Sequence, residues 1–465
     1  MSDPYTSLAT FLEQTDRFNV PLSTAFEPYL NSIRASGDAP AGALTAVWPG
    51  IMSVLQIQTL PAETARVLVD EVIDPIIASN NLSWSEVEAV VGSEQVLLGT
   101  VRADTHDKIR QAALSLLSCF RFSGTQDDRN KFVVDSVVDL ISVEKLSEGL
   151  IARVERTIRK FLKAYDQSRT FIINRLCTIR KQPVNISAIV ESRIQELTLV
   201  ILRDTADQGI DDISEQLILY SVQTDDMLEE LVIIQFYESL LELNLPPQIF
   251  HLCKPAYKEI AVIYRSSDSV AIERSSAARA LGLLALNRPG LFEELDSELK
   301  IVQGLIIRDE IDQIILTLIP GDQVARKNPE IVRSFPVSSG SLINILCNFV
   351  RYSSCRDLLQ INSQKLLRLP VPELLKLCKD LASSVGGASL LISMPAIMDI
   401  ILTKTGKSGY ELTRLRGDII DSLADVDREV TGLYWAGRIR EAKTTGIWGR
   451  SDTNEAFADI MDTNG

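Results

Sequence analysis

Residues 104–117 read DTHDKIRQAALSLL, and this run decides the fold. An Asp precedes the aliphatic–arginine pair Ile109-Arg110; a small residue, Ala113, follows, and then leucine as far as Leu117. The small residue lets neighbouring helices approach, while Asp and Arg can tie one helical unit to the next. The same helical period runs outward from it. Val133, Val134, Val137, Val138 and Ile141 form one stripe despite their preference for strands, because Asp135, Ser136, Asp139 and Leu140 break strict alternation. Leu228, Leu231, Val232, Phe236, Leu240 and Leu243 form another, with Glu229, Glu230, Glu238 and Glu242 largely opposite.

Breaks recur at short intervals and use turn chemistry: Asp38 to Pro40, Leu60-Pro61, Gly124, Pro246-Pro247, Pro289-Gly290, Pro320-Gly321, Pro336 and Gly386-Gly387. Thr224-Asp225-Asp226 is a helix-start signal. Residues 104–117 resemble the second helix of a HEAT repeat. Asp268 to Leu284 echoes it through Ile272, Arg274, Ala277, Ala278, Leu281 and Leu284. Gly340 to Phe349, with Leu346, Asn348 and a downstream Cys355-Arg356, resembles the end helix of an armadillo repeat. The expected fold is therefore all-α, a HEAT/armadillo-like α-α superhelix (solenoid) continuous over residues 1–450, with 451–465 a frayed tail. A period of ~40–47 residues would give roughly ten or eleven repeats. An irregular helical bundle is the alternative.

Composition narrows the function. Acidic residues outnumber basic ones, 62 to 47, for a net charge of −15, which disfavours direct nucleic-acid binding. Six scattered cysteines without a Cys-x-x-Cys pair point to buried free thiols and a reducing compartment. The first twenty residues lack a secretory pattern. The apolar stretch Leu390 to Leu402 contains Pro395 and Asp399 and is too short to span a bilayer. A cytoplasmic location, with access to the nucleus, and no membrane contact are expected.

No catalytic constellation stands out. The two histidines, His106 and His251, lack partners at useful spacing; His251 and Cys253, two apart, point to different helix faces. Thr405-Gly406-Lys407-Ser408 resembles the end of a phosphate loop, but Ile401 stands where its first glycine belongs. It is expected to be a helix–helix turn. No cofactor, no metal and no enzymatic activity are expected. One charge feature rises above background: residues 151–181 carry nine basic side chains against Glu155 and Asp166. Arg153, Arg156, Lys160 and Lys163 share one helical face. That face is a solvated ridge, a contact stripe for an acidic partner surface or a phosphate-backbone contact, the last disfavoured by the lack of interleaved aromatics to stack bases.

In the C-terminal third, Gly340 to Phe349, Leu367 to Pro370, Leu390 to Met398 and Tyr434-Trp435 occur in an order similar to that of the fungal proteasome regulatory-base assembly chaperone family. That family is also labelled a DNA mismatch-repair protein in yeasts, and has an animal counterpart among non-ATPase regulatory-particle factors. The resemblance implies a C-shaped superhelix, a monomer when free, that holds the C-terminal small domain of one AAA ATPase subunit of the regulatory base. It would guide base assembly, block premature docking on the core particle and then leave. The polar residues expected to grip the partner are Lys108, Gln111, Arg156, Lys160, Arg274, Asn344, Asn348 and Arg351, chosen by their place on second helices. Alternatives are a scaffold or transport adaptor holding an extended peptide along an Asn ladder, or a factor with an indirect role in mismatch repair.

Overall fold

The computed structural model describes residues 4–13, 22–36, 39–55, 62–78, 82–102, 107–181, 186–204, 215–224, 226–337, 340–402 and 410–445. Among these the regular elements are helices, with no strand. Asp104, His106, the 405–408 motif and the tail from 451 lie outside the described residues. The chain divides into two compact units, Met1–Tyr220 with Leu243–Ile249, and Ser221–Glu242 with Phe250–Gly465.

Helical pairs build the first unit. Glu94–Arg102, Asp127–Val138 and Ser168–Arg180 form one layer, and Asp107–Leu117, Glu148–Ala164 and Ala188–Asp204 form the other. The helices of the second layer start 41 and 40 residues apart, the step expected of HEAT or armadillo repeats. They run parallel. Thr157 Oγ1 donates to the Leu114 carbonyl at 3.3 Å, and Lys160 Nζ to Ser118 Oγ at 3.1 Å. Ala112 and Ala113 are buried, as the small-residue argument requires, among Ile109, Leu116, Leu150, Val154 and Ile158. The valines 133, 134, 137 and 138 are fully buried in a helix. Packing there overrides β-branched propensity.

The second unit repeats the plan. Met227–Leu241, Ala271–Asn287, Glu310–Leu318, Ile343–Val350, Val371–Ala382 and Tyr410–Ala424 pack in succession. Lys254–Arg265, Pro289–Leu299, Gly321–Lys327, Ser353–Leu359 and Val385–Ile392 alternate with them. A Cβ on Gly282 would lie 2.6 Å from the Cβ of Leu318, so glycine permits the close approach of these two helices. Asp226 accepts from the Leu228 amide at 2.8 Å, capping the helix its sequence announced. Gly386-Gly387, expected as a break, instead lies in the first turn of Val385–Ile392. Ser384 caps that turn, and a Cβ on Gly387 would collide with the Leu381 carbonyl.

The apolar run 390–402 is split between Val385–Ile392 and Pro395–Leu402, which meet at 99°. Among the described residues no single helix is long and apolar enough to cross a membrane. All six cysteines are free thiols, five of them buried.

Candidate partner-binding surface

In the first unit four of the nine basic residues of 151–181 pair with carboxylates of their own unit. A π-helical turn, Leu68–Ile73, buries Leu68, Val69, Val72 and Ile73, while Asp70 and, just beyond the turn, Asp74 meet Arg153. Arg153 is buried: Nη2 donates to Asp70 at 2.6 Å, and Nη1 to Ser115 Oγ at 2.5 Å and to Asp74. Arg156 remains 60% exposed and reaches Asp74 at 3.3 Å. Arg175 pairs with Asp139 at 2.5 Å and Arg180 with Glu191 at 2.9 Å. Of the stripe, Arg153 and Lys160 are thus turned to internal partners, while Arg156 and Lys163 stay exposed.

A second surface lies across three successive parallel helices of the C-terminal unit. Lys376 Nζ donates to Asn344 Oδ1 at 2.6 Å, Arg351 Nη2 to Asp380 Oδ1 at 2.7 Å, and Lys379 Nζ to Asp418 Oδ2 at 2.6 Å. Asn344, Arg351, Lys376 and Lys379 are exposed. The result is a ladder of polar and charged rungs between consecutive repeats. The opposite faces of these helices carry buried apolar residues, among them Leu346, Phe349, Leu375 and Cys378.

The eight residues picked from sequence fall into distinct settings. Lys108, Gln111, Arg156 and Lys160 share one layer; Lys108 Nζ donates to Gln111 Oε1 at 3.1 Å, and Gln111 itself is buried against Gly149. Lys160 is half-buried beside Ser118 and Cys119. Asn344 and Arg351 sit on the exposed ladder. Asn348, on the same helix, is buried and donates to the carbonyls of Leu316 and Ile319 at 2.9 and 2.7 Å. Arg274 is half-buried and bonds the Tyr264 carbonyl. Sequence reasoning missed Asp70, Asp74, Lys376, Lys379, Asp380 and Asp418. The ladder's partners are separated by 32, 29 and 39 residues, following the steps of 28 and 39 between the starts of the three helices that carry them.

The titratable groups are tuned by burial more than by one another. Desolvation pushes the thiols of Cys253, Cys355 and Cys378 up to about 12, keeping them protonated. Cys253 is buried and His251 exposed, so they make no thiolate–imidazole pair. Among the described residues no group of three or more His, Cys, Asp or Glu side chains could hold a metal. Exposed charged and polar side chains arrayed across successive repeats suit recognition of another protein's surface, where they select register and partner.

Stacked helical pairs with polar second-helix faces define a class, the helical-repeat proteins. Residues 249–465 match the model of the family described as "DNA mismatch repair protein HSM3, C terminal domain". The crystal structure of an engineered protein, a Northeast Structural Genomics Consortium target, aligns with 91% of this chain and 100% of that one. Its identity is 13% and its TM-score 0.32, a likeness that carries no argument. No curated protein matches the chain.

Proposed function

We propose that this chain is a non-enzymatic assembly chaperone. It holds the C-terminal domain of an AAA ATPase subunit of the proteasome regulatory base and guides base assembly. The observation that carries the reading is the ladder Asn344–Lys376, Arg351–Asp380 and Lys379–Asp418, which lies within the family-matched segment. Repeat stacks offer extended surfaces of this kind, suited to a folded domain and needing no catalytic group. A part in DNA mismatch repair, the label of the matched family, then follows indirectly, through the supply of proteasomes. The reading carries a cytoplasmic and nuclear location and a monomer when free.

An adaptor holding a peptide along an Asn ladder fits less well. Asn348 spends its amide on two carbonyls of the preceding repeat and has no exposed face to offer. Affinity capture of the chain from cell extract, read by mass spectrometry, separates these readings. Recovery of regulatory-base ATPases without the core particle supports the chaperone; recovery of only repair proteins or transport cargo overturns it.

A further inference from the structure

At the C-terminal end of the second unit, Tyr410–Ala424 and the following segment enclose a cavity of about 240 Å³. Leu423, Val426, Ala436 and Ile439 give it an apolar lining, and Arg428, Arg440 and Lys443 stand around it. The volume falls below the ~300–1,000 Å³ typical of small-molecule sites, and is closer to one large apolar side chain than to a cofactor.

The charges are the second observation. Elsewhere in this unit Arg279, Arg326, Arg351, Lys379 and Arg438 each meet a carboxylate. Lys443 also does, with Asp421 at 3.2 Å. Among the described residues neither Arg428 nor Arg440 has an acidic group within ion-pair distance, and both are exposed. Two unmatched cations beside an apolar cavity, in a chain of net charge −15, favour an anionic occupant with an apolar element. Gly432 adds to the surface. Its φ of +67° breaks the helix just after Thr431, which lines the cavity, and leaves Leu433 86% and Tyr434 67% exposed. Tyr434 is held by Arg438, which also pairs with Asp399 at 2.6 Å.

We propose that this cavity binds an acidic peptide segment of a partner protein. One large apolar side chain enters between Leu423, Val426 and Ile439, and the carboxylates flanking it meet Arg428 and Arg440. The site uses none of the ladder residues, so it constitutes a second contact independent of the ATPase grip.

The test is fluorescence anisotropy of a labelled peptide, Ac-EDLFDE-NH2, against the full chain. Saturable binding that weakens as salt rises is expected. Affinity should fall at least about tenfold in the double variant Arg428→Glu/Arg440→Glu, and likewise in Ala436→Leu, which fills the cavity without touching charge. Arg351→Glu serves as the control and should bind the peptide normally. Three outcomes overturn the proposal. One is unchanged affinity in both cavity variants while their circular dichroism stays native. Another is equal binding of Ac-EDSGDE-NH2, which lacks the apolar residues. The third is carbodiimide coupling of Lys443 to Asp459 or Asp462 in the isolated chain, which would give the cavity to the chain's own end.

Discussion

Arg274 Nε donates to the main-chain carbonyl of Tyr264 at 3.2 Å, closing the C-terminus of the helix that precedes its own. Arg110 does the same to Val101 at 2.8 Å in the other unit. Arg193 bonds the carbonyls of Ile141, Val143 and Glu144 at 3.1, 2.6 and 3.1 Å. Helix ends leave such carbonyls without intrahelical donors, and a guanidinium also complements the negative end of the dipole. Arg110 and Arg274 are thus clamps within a helical pair, whereas Arg193 reaches back to the pair before its own. Arg274 was picked from sequence as a partner contact, and the structure supplies it with this internal task.

Arg110→Ala and Arg274→Ala should each lower unfolding stability by ~1–3 kcal/mol, since each leaves a helix-end carbonyl without its charged donor. Urea midpoints measure this. A loss of only a few tenths in both variants would mean water replaces the clamp.

Asn348→Ala should cost a similar ~1–3 kcal/mol, because the Leu316 and Ile319 carbonyls lose their shared donor. Partner affinity per folded molecule should be unchanged. Native stability combined with lost partner binding would restore the Asn-ladder reading.

Glu238 gives the stability a pH dependence. Burial pushes its carboxyl up to about 7; neighbouring Glu242 adds to the shift, and Arg279, 3.3 Å away, opposes it. The folded state therefore holds this proton more tightly than the unfolded chain. The stability it contributes is complete below the unfolded value, near 4.5, and is lost as pH rises through about 7. Glu238→Gln should be the more stable form at pH 8, by up to ~3 kcal/mol, and indistinguishable from the parent near pH 4. Parallel stability curves for the two proteins across this range would refute the assignment.

Gly282→Val should destabilise by ~1–3 kcal/mol, because the added side chain meets Leu318 across the parallel pair. Thermal unfolding of the variant and of the compensating double change Gly282→Val/Leu318→Ala checks this; no recovery in the double variant would remove the contact from the account.

Helical stacking was legible because burial imposes its period on the residues themselves. The Ile109–Leu117 stripe, the valine run at 133–138 and Asp226 as a cap all behave as their chemistry requires. Charge was harder to read. Arg153 looked like one face of a surface stripe, yet its carboxylates are 79 and 83 residues away on an earlier helix. Arg351 was picked, but Asp380 and Lys376 were not, because a ladder between repeats shows only when two repeats are aligned. Asn348 lies one turn on from exposed Asn344, on nearly the same helix face, but its amide is spent on the Leu316 and Ile319 carbonyls of the preceding repeat and is buried.

The most direct measurement is titration of the chain with the isolated C-terminal domains of the regulatory-base ATPases. One domain should bind, and Arg351→Glu/Lys376→Glu should weaken it at least about tenfold while changing unfolding stability by only ~0–1 kcal/mol. Binding to none of the domains, or undiminished binding by the double variant, would contradict the account.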